Sequence, residues 1–340
     1  MILLFNIILP ILLVIFLSLS IKYFIPILIK FNFIDSPNKR SNHLNPVPKG
    51  IGLVVTIFFS LSATFAMHHK FINLDPWQDI IIITTIISIY SFLDDLYDFQ
   101  SFKKLLFHSL IIFLSLYFFL DLVQNFSEAT YFKLPIKIPF FIYKFLILIF
   151  LYLFWLWVMN LFNFMDGIDG ITGLQVCFFS VGLIFLSNLE LIETQFSYLG
   201  VLILSTFLAF LFFNFPPARV FLGDSGSVSI GYFLGAILVY SFLKESAFIQ
   251  LIIILLYYFL DSTLTLLKRF FKKKNLLAAH SDHFYQIKIR SGFSHSYVLR
   301  FILLINIFLL TLAVLYSNFP YSSVVLSFGL VSIFLIWLAK

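Results

Sequence analysis

The run Asn160-Leu-Phe-Asn163-Phe-Met-Asp166-Gly167-Ile-Asp169-Gly170 closes an apolar stretch that begins near residue 138. It sets amides, carboxylates and glycines at the mouth of that stretch. A carboxylate at the centre of a membrane-spanning helix costs roughly 2.5–3.5 kcal/mol on insertion scales. The cluster therefore belongs at a bilayer surface or in a hydrated cavity. Its glycines free the backbone and let a polar ligand come close. The stretch reads as a membrane helix that opens onto a polar site.

The rest of the chain agrees. Of 340 residues, 61% are hydrophobic and only 11% charged, with 48 Phe. A soluble domain this apolar would have no surface to offer water, so the fold class is all-α, a polytopic integral membrane protein. The phenylalanines say lipid-facing and nothing about a cofactor. The lone Cys177 excludes a disulfide framework and reads as a small core residue. The first run lacks a basic leader region and a small-residue cleavage site, so it reads as a retained span. With no Ser/Gly/Pro-rich linker, residues 1–340 form a single integral domain.

Apolar runs of helical length lie near 2–29, 51–68, 79–94, 104–120, 138–159, 171–188, 197–214, 227–243, 247–267, 297–317 and 320–338. They predict ten or eleven spans, the third being short and the 121–137 connection open. Alternating loops then place sixteen Lys and Arg on one side and five on the other. The positive-inside rule makes the richer side cytoplasmic. All the polar motifs land on it: Asp35–Gly52, Asp94–Asp98, Asn160–Gly170, Asn214–Ser227 and His280–Gln286. Loops distant in sequence but sharing one membrane face suit an enzyme that takes a cytosolic substrate. The basic residues point to the lipid bilayer as partner, and no nucleic acid is implied.

Asp94-Asp95-Leu-Tyr-Asp98 ends the third run. Asp94 and Asp98, at i and i+4, share a helix face, with Asp95 turned roughly 100° away. Such crowded carboxylates repel unless a cation or proton intervenes. The pattern suits Mg²⁺ and a proton acceptor; a solvated acidic helix end is the plainer alternative. In Asn214-Phe-Pro216-Pro217-Ala-Arg219-Val-Phe221-Leu-Gly223-Asp224-Ser225-Gly226-Ser227, the serines can cap the following helix. Asp224 can hold the cation that accompanies a diphosphate at that helix start, and Phe221 can stack on a base. The alternative is a capped turn.

Other polar residues divide more evenly. Lys39, Arg40 and Lys49 suit phosphates, or ordinary positive-inside anchoring. In His280-Ser-Asp282-His283-Phe-Tyr285-Gln286, two histidines three apart on a helix could bind a metal. No cysteine or second histidine pair completes a zinc site, so phosphate or sugar contact fits better. Lys272–Lys274 reads as a membrane-surface patch. Asp261, inside a run, is either functional or an ion-pair partner of Lys268 and Arg269. Trp155 and Trp157 read as interfacial belt residues.

Together these motifs resemble the polyprenyl-phosphate N-acetylhexosamine-1-phosphate transferases (glycosyltransferase family 4). The likeness runs from about Asp35 to Gly292, in the family's order. It implies ten or eleven helices around a cytoplasmic cleft where a UDP-N-acetylamino sugar meets undecaprenyl phosphate and Mg²⁺, with Mn²⁺ as a substitute, in the bacterial inner membrane. A homodimer is compatible with it. By that resemblance the catalytic set is Asp94, Asp95, Asp98, Asp169 and His283, with Asp94 the candidate base. Asn160, Asn163, Asp166, Phe221 and His280 would bind nucleotide sugar, and Asp224 with Asp95 the metal.

Two departures matter. His283 occupies the first place of the family's histidine cluster, while Tyr285 and Gln286 stand where a later pair would be. The peptidoglycan enzymes also carry a basic residue where Asp98 stands. Both point away from the muramoyl-pentapeptide branch and toward initiators of O-antigen-type lipopolysaccharide. A secondary transporter of a polar or anionic solute is the rival reading. Its polar residues should collect at mid-bilayer and its sequence should show an inverted repeat. A CDP-alcohol phosphotransferase would carry one compact carboxylate motif with Ala-Arg, which is absent.

Overall fold

The computed structural model describes residues 7–37, 45–97, 99–133, 138–276 and 280–340. The chain forms α1 (Leu9–Lys30), α2 (Gly52–His68), α3 (Trp77–Tyr97) and α4 (Ser101–Ser115). A 3₁₀ turn then leads into α5 (Leu120–Tyr131), followed by α6 (Phe140–Met165), α7 (Ile171–Asn188), α8 (Gln195–Asn214) and α9 (Asp224–Leu243). After these come α10 (Phe248–Ile254), α11 (Leu256–Phe271), α12 (Phe284–Arg290), α13 (His295–Leu315) and α14 (Pro320–Ala339). Among the described residues the only sheet is the antiparallel pairing of Ile34–Asp35 with Val47–Pro48.

Among the described residues nine helices are long and apolar enough to cross a membrane, and ten if α10 and α11 make one span. The protein is a multi-pass membrane protein. The second predicted run, 51–68, is α2, which at 17 residues falls short of that length. The short third run extends through Tyr97, and the open connection is helical through Tyr131.

Helix α9 is the axis. Its spanning window is 94% buried, against 22% in α1, although α1 is the more hydrophobic. Lipid offers apolar surface as good as a neighbouring helix does, so burial follows small residues that allow close packing. A Cβ on Gly231 would stand 2.8 Å from the Met159 carbonyl, and one on Gly235 2.4 Å from the Trp155 ring. Trp155 is accordingly fully buried, donating from Nε1 to the Tyr232 carbonyl at 2.8 Å. Its expected place in an interfacial belt is wrong, because its ring fills the notch Gly235 leaves. Helices α3 and α6 flank α9. Ser88 Oγ on α3 donates to the Ser225 carbonyl of α9 at 2.8 Å.

The ninth predicted run is broken at Leu255, where α10 and α11 meet at 70°. A bend inside a membrane releases carbonyls that need donors. Gln175 of α7 supplies one, Nε2 donating to the Ile254 carbonyl at 3.0 Å.

Candidate active site

The five predicted loops come together. Asp94 at the end of α3 is buried; its Oδ2 lies 2.6 Å from Lys104 Nζ of α4, and its Oδ1 accepts from the Phe99 amide at 2.9 Å. Asp95 points the other way, toward Lys49 Nζ at 3.4 Å and the Ser225 amide at 3.5 Å. Lys104 also reaches Asp224 Oδ2 at 3.7 Å. Asn163 Nδ2 donates to Asp224 Oδ1 at 2.8 Å and to Ser227 Oγ at 3.2 Å. Gly223 makes this junction possible. Its φ is +75°, and a Cβ would stand 2.7 Å from Asp95 Oδ2 and 3.0 Å from the Gly50 amide.

Beside the junction opens a cavity of about 580 Å³, within the range of small-molecule sites. Its lining includes polar Lys104, Asn160, Asn163, Asp166, Asp224, His280, His283 and Gln286, and apolar Leu153, Leu156, Trp157, Val228 and Leu266. Burial pushes Asp166 up to about 7, and the nearby charge of Asp224 adds to the effect. His280 is held down to about 4, first by burial and then by the positive charges around it. It is therefore neutral at physiological pH.

The histidine segment is not the helix face the spacing suggested. His283 is the residue before α12, with its amide donating to Gln286 Oε1 at 3.3 Å. His280 stacks on it with ring centroids 5.1 Å apart. Asp282 turns outward to Arg269 at 2.5 Å and Lys274 at 3.2 Å. Asp261 consequently has no ion pair with Lys268 or Arg269 among the described contacts. Its Oδ1 instead meets His283 Nδ1 at 3.1 Å.

Residues 77–242 match the family model described as glycosyl transferase family 4. Over 86 residues the chain is 40% identical to the decaprenyl-phosphate N-acetylglucosaminephosphotransferase of Mycolicibacterium smegmatis, covering 23% of this chain and 21% of that protein. Over 145 residues it is 26% identical to a probable undecaprenyl-phosphate N-acetylglucosaminyl 1-phosphate transferase of Bacillus subtilis, covering 41% and 40%. Over 256 residues it is 25% identical to the phospho-N-acetylmuramoyl-pentapeptide-transferase of Petrotoga mobilis, covering 72% and 76%. The first two matches span well under half of those relatives. Both branches weighed in the sequence are represented, so similarity does not choose between them.

The family 4 match spans Asp94, Asp95, the Asn160–Gly170 run and Asp224, and ends before Asp261 and the histidine segment. Inside the matched region, Asp169 and Phe221 stand off the cavity lining. Asp169 has both oxygens engaged, Oδ1 with His295 Nδ1 at 3.1 Å and Oδ2 with the Ala218 amide at 3.0 Å. It ties the α6–α7 turn to the α8–α9 loop. Phe221 donates its amide to the Pro48 carbonyl at 2.8 Å, which joins the α8–α9 loop to the short sheet. Asp98 lies outside the described residues, as do Lys39 and Arg40.

Lys104 and His108 stand outside every motif read from the sequence. Both line the cavity from α4. The available signal was their i, i+4 spacing, which puts them on one helix face. Tyr285, where a histidine of the cluster would stand, packs into the core. It is fully buried, donating to the Phe164 carbonyl at 3.1 Å. A Cβ on Gly167 would stand 2.2 Å from its hydroxyl, so the glycine admits the tyrosine as much as any ligand. Gln286 does line the cavity.

For a divalent cation the protein offers carboxylates in a pair. Among the described residues no three His, Cys, Asp or Glu form a ready cage. Mg²⁺ is commonly held by one or two carboxylates plus substrate phosphates. Asp224 and Asp95, meeting at the start of α9, fit that kind of site.

Proposed function

We propose that this protein transfers an N-acetylamino-sugar 1-phosphate from a UDP-sugar to undecaprenyl phosphate, releasing UMP and starting a lipid-linked surface glycan. The observation that carries the reading is the convergence of Asp95, Lys104, Asn163 and Asp224 beside a cavity lined by both polar and apolar side chains. Such a site suits a charged diphosphate meeting a lipid-borne phosphate. The family 4 match supports the same reaction class.

The carrier phosphate oxygen attacks the sugar-bearing phosphorus of the donor. A new P–O bond forms there, the bond to UMP breaks, and UMP takes the electron pair. Lys104 and Lys49 offer positive charge to the phosphates, and Asn163 fixes the Asp224 carboxylate. When bound at Asp224 and Asp95, Mg²⁺ supplies further neutralisation of the diphosphate. A phosphate monoester has its second pKa near 6, so the carrier is mostly dianionic at neutral pH and needs no base. Asp94, buried and paired, serves better as the anchor of Lys104 than as that base.

Within this reading we place the enzyme with O-antigen-type initiators rather than the muramoyl-pentapeptide branch, and its cavity on the cytoplasmic face of the bacterial inner membrane. Gln286 at the cavity wall, where the family's histidine cluster would continue, supports the first point; the loop charges support the second. The test is to incubate membranes with labelled UDP-sugars and undecaprenyl phosphate. Label should enter lipid from a UDP-N-acetylamino sugar and not from UDP-N-acetylmuramoyl-pentapeptide. Efficient transfer of the latter would overturn the branch, and no transfer from any donor would overturn the function. Cysteines replacing the exposed Ser36, Ser101 and Ser291 should react only with a reagent that enters the cytoplasm, and one replacing Asn73 from outside. The buried Cys177 stays silent.

A further inference from the structure

One of the carboxylates unused by this reaction is sealed in the core. Asp261 in α11 is completely buried, and a charge at such a site survives only if donors surround it. Four do. His283 Nδ1 and the Phe284 amide each lie 3.1 Å from Oδ1. Thr265 Oγ1 reaches Oδ1 at 3.4 Å and Tyr257 OH reaches Oδ2 at 3.4 Å. Two of these donors belong to the segment entering α12, so Asp261 is where the bent helix grips the histidine loop. The ring it grips lines the cavity. The other ring nitrogen, His283 Nε2, is buried without a hydrogen-bond partner. Buried polar atoms are nearly always paired, and an orphan beside a cavity calls for an explanation.

We infer that Asp261 is the positioning residue of His283. It accepts the Nδ1–H and thereby fixes that tautomer, leaving Nε2 as a lone-pair acceptor for an O–H or N–H of the sugar donor. The hydrogen bond at one ring nitrogen decides which form the other takes. A role confined to pinning the loop would need only the Phe284 amide contact and would leave the tautomer indifferent. The identity of the ligand rests on the function proposed above; the tautomer does not.

The experiment uses the full-length protein with ¹⁵N-labelled histidine, the His283 signals being assigned by their loss in His283→Gln. Wild-type His283 should show a protonated Nδ1 and an unprotonated Nε2, and Asp261→Ala should shift it toward the Nε2–H form. Donor kcat/KM in Asp261→Ala should fall 10–100-fold, as when an outer partner of a working histidine is lost. Adding His283→Gln to Asp261→Ala should cost no more than His283→Gln alone. A wild-type Nε2–H tautomer, or losses that simply add, would overturn the proposal. If Asp261→Ala does not accumulate, the wild-type spectrum still decides. Should the wild type transfer no sugar phosphate, the function falls, while the spectra continue to judge the Asp261–His283 pair.

Discussion

The acidic and histidine walls of the cavity handle charge beside a lipid phase in opposite ways. On the acidic wall Asp94, Asp95 and Asp224 are countered by Lys49 and Lys104, whose side chains keep 32% and 26% of their exposure. Those ammonium groups stay near water on flexible stems and can change partners at modest cost. On the histidine wall Asp261 is sealed, and neutral or tautomeric N–H and O–H donors meet it. Nothing there can leave without stranding a buried carboxylate. If the proposed function holds, the first wall suits the exchange of ions and phosphates, and the second the fixing of one ring.

The acidic wall should be most sensitive at Asp224. Asp224→Asn keeps the shape and removes one negative charge where the diphosphate and its cation would meet. Turnover should fall at least a thousand-fold, equivalent to about 4 kcal/mol of lost transition-state stabilisation. The check is transfer by the purified variant at saturating Mg²⁺, beside its yield in the membrane. Near-normal turnover from well-expressed protein would remove Asp224 from the cation site.

Lys104 should come next. Lys104→Met leaves Asp94 buried without its 2.6 Å partner and withdraws a positive charge from the cavity. Turnover should drop about a hundred-fold, and the thermal midpoint should fall as well, because a stranded buried carboxylate costs about 3–5 kcal/mol. Lys104→Arg should restore most of the midpoint and less of the turnover. If Lys104→Met unfolds nothing and slows nothing, the acidic wall does not depend on exchangeable lysines.

These two residues also show what a sequence reveals. Asp224 was legible because its neighbours are legible: glycine and serine around a lone carboxylate, between two apolar runs, announce a helix start. Lys104 was not, because a lysine beside a span always satisfies the charge rule and its partner Asp94 lies in a different helix. The spans were readable from hydropathy alone, since length and apolarity are local properties. The 70° break at Leu255 was not, as no proline or glycine marks it and the Gln175 donor comes from α7. Trp155 was misplaced for a related reason. An aromatic near a helix end looks interfacial until the facing glycine on α9 is known.

On the histidine wall, Gln286 should govern choice more than rate. Its side chain lines the cavity without carrying charge, so Gln286→Ala should change the ratio of kcat/KM between UDP-amino sugars by about ten-fold. A site loses discrimination when a hydrogen-bonding partner is removed. Turnover with the best donor should stay within about three-fold of wild type. A donor panel measured with both proteins decides. An equal loss for every donor would mean that Gln286 only braces the His283 amide.

The smallest effect concerns Asp166, which lines the cavity near the acidic wall yet carries no lysine of its own among the described contacts. Burial, with Asp224 adding to it, lifts this carboxyl to about 7. In an unfolded chain it would titrate near 3.9. The folded protein therefore binds an extra proton across the window from about 4 to 7, and stability must fall as pH rises through it. The penalty is absent below that window and complete above it. Asp166→Asn imitates the protonated acid at every pH, so it should match wild type near pH 4. It should melt a few degrees higher at pH 8, where the ionised carboxylate strains the native fold. Thermal midpoints of both proteins in the same detergent between pH 5 and 8 measure the widening gap. If the gap narrows as pH rises, an attractive partner holds Asp166 ionised, and it belongs to the exchangeable charges of the acidic wall.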